Sequence, residues 1–218
     1  MLLRKRVAIL ISGRGSNMAA LIEAASDPSF PAAITLVVSN RADAAGLKRA
    51  EAAGIATAVI DHRPFGKDRA AFEQALDDKL SAAGIDIVCL AGFMRLLTPW
   101  FVAKWEGRMI NIHPALLPAF KGLDTHERAL AAGVKLHGAS VHFVTAETDS
   151  GPLIVQAAVP VHDTDTPDTL AARVLTVEHR IYPLALRWLA EGRLTVVGGR
   201  CKLAEADTSD ALLIAPEG

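Results

Sequence analysis

The run Met109-Ile110-Asn111-Ile112-His113-Pro114, with Asp149 further along, offers an amide, an imidazole and a carboxylate of the kind acyl transfer uses. Met109 to Ile112 reads as a short buried strand that Pro114 stops. Strand alternation puts Asn111 and His113 on the same face. An amide donor beside a ring that can carry charge is a ready stabiliser of an oxyanion. A nearby carboxylate would orient that ring and favour its protonated form. The bland alternative is a polar pair capping a strand end. Asp149, in Thr148-Asp149-Ser150-Gly151, then serves as an ordinary turn residue.

Two other segments carry chemistry-bearing patterns. Gly13-Arg14-Gly15-Ser16-Asn17 follows an apolar run and opens a helical one. Helix N-termini present free N–H groups and a positive dipole end, and glycines let an anion come close. The dinucleotide fingerprint needs a third glycine where Met18 stands, and the Gly-Lys-Ser/Thr of a P-loop is absent. The pattern points to a mononucleotide or sugar-phosphate grip, with a plain tight turn as the alternative. Ala91-Gly92-Phe93-Met94-Arg95-Leu96-Leu97 follows another strand, where open α/β sheets bind ligands. It could line a pocket for a flat ring. Taken alone, the segment favours the simpler expectation that Phe93, Leu96 and Leu97 join the core.

These segments need strands and helices to position them. Val7–Ile11, Ile34–Ser39, Thr57–Ile60 and Ile85–Leu90 read as strands. A helix after the turn at 12–17, with Leu21, Ile22 and Ala25 on its inner face, and helices over 42–53 and 68–83 separate them, the last two closed by Gly54 and Gly84. Alternation of strand and helix predicts a right-handed parallel sheet. After Thr98-Pro99, which opens a short helix, the pattern changes. A small helix at 125–132 follows the Asn111 strand. Leu136–Val144 and Pro152–Pro160 then read as an antiparallel pair. Thr166-Pro167 opens a long helix to about residue 191, with Leu170, Val174, Val177, Ile181, Leu184 and Trp188 on one face. The tail from 193 shows only strand-like pieces at 194–197 and 212–214. The expected class is α/β: a Rossmann-like half with parallel strands, continuing into a mixed sheet with an antiparallel C-terminal strand pair. His142, on the same side as Ser140, is either a satisfied core histidine or a partner to the site. His126, His137 and His179 show no metal-ligand spacing, so no metal is expected.

Bulk composition narrows the function classes. A chain of 218 residues is long enough for one large α/β core. A net charge of −1 gives no excess of basic charge, so a nucleic-acid surface is not expected. Two cysteines cannot build a disulfide framework, which fits a reducing cytoplasm. The apolar run after Met1-Leu2-Leu3-Arg4-Lys5-Arg6 is too short for a signal peptide, and no run is long enough to span a bilayer, so no membrane is expected.

With these residues in view, the chain resembles the phosphoribosylglycinamide formyltransferase family over nearly all of residues 7–192. The likeness rests on Ile11-Ser12-Gly13-x-Gly15-Ser16-Asn17, on Leu90-Ala91-Gly92-Phe93-Met94-Arg95 and on Asn111-Ile112-His113-Pro114-x-Leu116-Leu117-Pro118. It extends through His137-Gly138-x-Ser140-Val141-His142-Phe143-Val144 to Asp149-x-Gly151-Pro152. The resemblance implies the formyltransferase fold as a single domain over 1–218: a phosphate-binding half (1–100), a catalytic and folate half (101–192) and a tail (193–218). It implies that Asn111, His113 and Asp149 are catalytic, that Gly15, Ser16 and Asn17 hold a substrate phosphate, and that Glu178 contacts the glycinamide end. Met94, Arg95, Leu96 and Leu97 would line a folate pocket, and Arg69 would meet the folate glutamate tail. The implied reaction moves a formyl group from 10-formyltetrahydrofolate, a co-substrate, to the amine of glycinamide ribonucleotide, by a monomer or homodimer.

Asp124 stands where a histidine is usual, and the tail after 193 has no clear match. Among near relatives, methionyl-tRNA formyltransferase would add a C-terminal tRNA-binding domain, for which this chain is short and insufficiently basic. Formyltetrahydrofolate hydrolase would add an N-terminal regulatory domain, whereas the first strand here is expected at Val7. The hydrolase is the alternative within the family, since Pro118-Ala119-Phe120-Lys121-Gly122 also resembles it. A non-catalytic nucleotide-binding module is the alternative outside it.

Overall fold

The computed structural model describes residues 4–205 and residue 215. The strand-like piece expected at 212–214 lies outside them. The first strand, β1 (Lys5–Ile11), leads into α1 (Ser16–Ser26), β2 (Ala32–Ser39), α2 (Ala45–Ala52) and β3 (Ala56–Val59). A short 3-10 turn (Arg63–Phe65) precedes α3 (Arg69–Ala82), β4 (Ile87–Leu90), α4 (Pro99–Lys104) and β5 (Met109–His113). Then come α5 (Thr125–Ala131), β6 (Leu136–Phe143), β7 (Leu153–Pro160), the long α6 (Pro167–Ala190), β8 (Leu194–Val197) and β9 (Arg200–Leu203).

Seven strands form one sheet in the order β3-β2-β1-β4-β5-β6-β7. The first five are parallel, and β6 and β7 join antiparallel. This is the expected mixed sheet. It runs without a break across residue 100, because β4 pairs with β5.

The continuous apolar run of β1 is explained by burial on both faces. Val7, Ile9 and Ile11 face the core beneath α1, α2 and α6, while Ala8 and Leu10 face the core beneath α3 and α4. Chain order reverses between β1 and β4, so the segments after these strands flank a crevice at the carboxyl edge.

Three sequence expectations shift. Helix α2 starts at Ala45 rather than residue 42, because residues 41–44 form a turn in which the Ala44 N–H donates to the Arg41 carbonyl. On α6 the buried face is Leu170, Val174, Glu178, Ile181, Tyr182, Ala185 and Leu186, whereas Leu184 is 38% exposed. Steps of three and four from Leu170 and Val174 lead through Glu178 to Ile181 and Ala185. The apolar line through Val177 to Leu184 drifts off that stripe. Finally, β8 and β9 form a separate hairpin, turned by Gly198 and Gly199, both at positive φ.

Candidate active site

Strand β5 ends at the carboxyl edge carrying Asn111 and His113, and β6 runs antiparallel beside it. The register places His142 opposite Asn111 and Ser140 opposite His113. His142 therefore meets the amide directly: Asn111 Nδ2 lies 3.2 Å from His142 Nε2. The other ring nitrogen, Nδ1, lies 2.8 Å from the Phe143 carbonyl, which can only accept, so Nδ1 carries the hydrogen. Burial lowers the His142 pKa, opposed by the Phe143 carbonyl and by Asp149, so the ring is neutral and Nε2 accepts. One N–H of the Asn111 amide is thereby held, and the other is left to donate elsewhere. His142 is thus both buried and a direct partner of Asn111.

His113 is 6% exposed. Its Nε2 lies 3.0 Å from the Phe120 carbonyl, which fixes the hydrogen on Nε2. That leaves Nδ1 to face Asp149, whose Oδ2 is 3.4 Å away. The other Asp149 oxygen is 3.7 Å from His142 Nε2. These separations are longer than good hydrogen bonds, as is common before a substrate binds. Asp149 sits at φ 50, and its Oδ2 accepts from the Gly122 N–H at 2.9 Å. Its loop can close only because residue 151 is glycine: a Cβ there would lie 1.8 Å from the Phe143 carbonyl oxygen.

The β1–α1 turn begins at Gly13 and ends at Gly15, which caps α1 at φ 69 without any side-chain cap. The first-turn N–H groups of α1 thus lack a side-chain acceptor, as an anion grip requires. A Cβ at Gly15 would meet the Met18 side chain at 3.0 Å and the Gly46 backbone at 3.2 Å. Asn17 Nδ2 donates to Glu178 Oε2 at 2.8 Å, joining α1 to α6. Glu178 is 6% exposed; burial raises its pKa and the Asn17 amide opposes this. Asn17 Oδ1 is buried without a partner among the described residues.

The segment after β4 splits the earlier expectation. Phe93 is buried and Leu97 packs against the core, but Met94 is 62% and Leu96 64% exposed. Leu96 therefore does not join the core. The Met94 N–H donates to Ser12 Oγ at 2.8 Å, and Ser12 Oγ donates to Asn40 Oδ1 at 2.6 Å. Ser12, Gly13, Asn40, Arg41, His62, Gly92, Met94 and Arg95 line a cavity of about 310 Å³. A larger groove of about 430 Å³ lies between α1 and α6 and includes Ser16; neither it nor the smaller cavity is lined by Asn111, His113 or Asp149. The smaller cavity has the better claim to ligand chemistry, because it opens at the strand ends. Arg69 is exposed at the start of α3, and no side-chain contact joins it to this cluster among the described residues.

The structure thus brings Asn111, His113 and Asp149 together and joins Asn17 to Glu178. It shows three further contacts: His142, left open by the sequence between core and site, on Asn111, the Phe120 carbonyl on His113, and the Gly122 N–H on Asp149. Antiparallel pairing of the strand after Asn111 with the one carrying His142 was the available signal for the first. The other two are backbone groups, to which side-chain pattern is blind. Among the described residues there is no group of three or more His, Cys, Asp or Glu that could hold a metal. The described part contains no helix long and apolar enough to cross a membrane.

The arrangement offers a fixed amide donor, an imidazole with one nitrogen committed, and a carboxylate between two rings. It can stabilise an oxyanion and carry a proton. Comparison with known proteins gives it a setting. The formyl transferase family matches residues 5–186. Phosphoribosylglycinamide formyltransferase of Escherichia coli (strain K12) is 49% identical over 188 residues, 86% of this chain and 88% of that protein. The human trifunctional purine biosynthetic protein adenosine-3 is 52% identical over 189 residues. That is 87% of this chain but 19% of the human protein, so the chain spans about a fifth of the trifunctional relatives' length. The crystal structure of glycinamide ribonucleotide transformylase 1 from Symbiobacterium toebii superposes with a TM-score of 0.90 at 46% identity, covering 93% of this chain and 95% of that one.

Proposed function

The chain belongs to the formyl transferase family, and on that premise we propose that it transfers the formyl group of 10-formyltetrahydrofolate to the amine of glycinamide ribonucleotide, a step of purine biosynthesis. The observation that carries the reading is the convergence of Asn111, His113 and Asp149, with the Asn111 amide turned by His142. The amine nitrogen attacks the formyl carbon, a C–N bond forms, and the carbonyl electrons move onto oxygen. The free N–H of Asn111 and a protonated His113, through Nδ1, stabilise that oxyanion. The carbonyl re-forms, the bond to the folate nitrogen breaks, and the proton lost by the amine reaches that nitrogen. Asp149 supports the charge on His113 and helps a water relay the proton. No covalent enzyme intermediate is needed; positioning and electrostatics supply the rate.

In this reading the N–H groups at Gly15, Ser16 and Asn17 hold the phosphate, and Glu178 meets the glycinamide end. Met94, Arg95, Leu96 and Leu97 line the folate pocket. The exposure of Met94 and Leu96 supports this, since apolar side chains left open at a strand-end crevice are suited to a flat ring. Arg69 takes the folate glutamate tail. The site is assigned no metal, and the enzyme no nucleic-acid or membrane partner. We place it in the cytoplasm as a monomer or homodimer; both cysteines are free thiols, in keeping with a reducing compartment.

The hydrolase alternative is not favoured, because the Escherichia coli relative, of which the chain covers 88%, is named a phosphoribosylglycinamide formyltransferase. A binding module has no need of all three polar groups. The test is formyl-folate turnover with and without glycinamide ribonucleotide. Turnover that requires the nucleotide and yields its formylated product is expected; nucleotide-independent release of formate would overturn the proposal.

A further inference from the structure

The supports of His113 and Asp149 come from one short stretch of backbone. The Phe120 carbonyl accepts from His113 Nε2 at 3.0 Å, and two residues on, the Gly122 N–H donates to Asp149 Oδ2 at 2.9 Å. That stretch is held in an uncommon conformation: Phe120 lies at φ 55, Gly122 at φ 82 and Asp124 at φ 55. A bulky residue rarely adopts such angles unless its surroundings impose them.

Arg128, on the exposed side of α5, is what surrounds it. Its Nη1 donates to the Lys121 carbonyl at 2.6 Å and to the Leu123 carbonyl at 3.2 Å, the residues on either side of Gly122. Its guanidinium carbon also lies 5.7 Å from the centre of the Phe120 ring. On the inner side that ring meets His137 edge-on, with centroids 5.7 Å apart. Among the described residues the Arg128 donors go to carbonyls and not to a carboxylate. A solvated helix arginine has no reason to span a loop in this way. A planar guanidinium with several fixed donors can hold two carbonyls at once; an ammonium acts as a point charge.

We propose that Arg128 is a positioning residue for the reaction: it fixes residues 120–123 so that the Phe120 carbonyl holds the His113 tautomer and the Gly122 N–H holds Asp149. It touches neither substrate nor the reacting atoms. The kinetic arm of the inference rests on the formyl-transfer reading above; the spectroscopic arm does not.

The experiment uses the full chain with Arg128→Met, which keeps the stem and removes every donor, and Arg128→Lys, which keeps stem and charge but lacks the fork. Ring 15N shifts of His113 report its tautomer without any turnover. At a pH high enough for the ring to be neutral, wild type should show hydrogen on Nε2, and Arg128→Met a mixture of both tautomers. In the transfer assay, kcat of Arg128→Met should fall about 10- to 100-fold, the scale of a small misplacement of a catalytic group. KM for each substrate should stay within about twofold, since no binding contact is removed. Arg128→Lys should fall between the two and provides the same measurements if the methionine variant does not fold. A retained single Nε2–H tautomer overturns the proposal whatever the rate, and so does an unchanged kcat with mixed tautomers. If wild type itself transfers no formyl group, the functional reading fails while the tautomer result still decides the role of Arg128.

Discussion

Replacing Asn111 by alanine separates what the amide does for the reaction from what it does for the fold. One of its two N–H groups is engaged with His142 Nε2 at 3.2 Å, so one donor remains for a developing oxyanion. Loss of a single oxyanion donor costs about 2.7–4 kcal/mol in the transition state, or roughly a 10²- to 10³-fold fall in kcat. The fold loses something else. His142 Nε2 becomes a buried acceptor without its partner, at a cost of about 1–3 kcal/mol. For a domain of this size that is a drop in Tm of about 2–12 °C. Folate affinity should change little, because the donor acts on charge that appears only during reaction. Single-turnover formyl transfer, equilibrium folate binding and thermal melting measure the three quantities separately. A folded variant with kcat within about threefold of wild type would refute the oxyanion role, since no donor worth its place there can be lost so cheaply.

Asp149→Asn should keep the fold, because asparagine tolerates the left-handed backbone at φ 50 and can still accept from Gly122. It should lower kcat about 10²-fold or more by removing the charge facing His113; full activity at an unchanged Tm would make Asp149 a turn residue. Glu178→Gln should leave Tm equal or slightly raised, since the buried carboxylate has its pKa pushed up by burial, yet raise KM for the nucleotide about 10- to 100-fold. An unchanged KM would remove Glu178 from the substrate site. His137, pushed down to about 4 chiefly by burial, with His126 and His113 adding to this and the Pro114 carbonyl opposing, stays neutral in the fold. The unfolded chain binds that proton near pH 6.5, so this contribution to stability is complete above pH 6.5 and is lost as pH falls to about 4. Denaturant melts across that range should show a shallower slope for His137→Gln; identical slopes would deny the histidine this role.

The sheet was legible because β1, β2 and β4 are apolar on both faces, a pattern that needs cover above and below. Asn111 and His113 were legible because alternation along one strand requires them to share a face. His142 was not, since its role depends on strand register, and Ser140 and His142 look alike to a pattern two residues long. Leu184 was misplaced because the stripe on α6 passes through Glu178, a carboxylate that apolar periodicity skips. By its type alone Leu96 reads as core, whereas the family resemblance puts it at the folate pocket; it is 64% exposed. The β8–β9 hairpin had its signal in Gly198-Gly199, a two-residue turn with both residues at positive φ. Gly122 and Phe120 act through main-chain atoms, which every residue carries alike.

The bond between Asn17 and Glu178 spans 161 residues of chain. Its consequence belongs to biosynthesis rather than to the finished molecule. At 5–20 residues per second, about 10–30 s of translation separate the two partners. Through that interval the turn capped by Gly15 has emerged without its carboxylate, and the carbonyls of Leu90 and Ile110 wait for the Tyr182 hydroxyl that bonds both, at 2.8 and 3.2 Å. The nascent chain can therefore build the β1–α1 unit before α6 has been made; α6 then brings Glu178 to Asn17 and Tyr182 to the sheet, and the β8–β9 hairpin, which packs on β7, follows it. A ribosome stalled before residue 178 carries a chain whose Asn17 amide has no carboxylate to donate to.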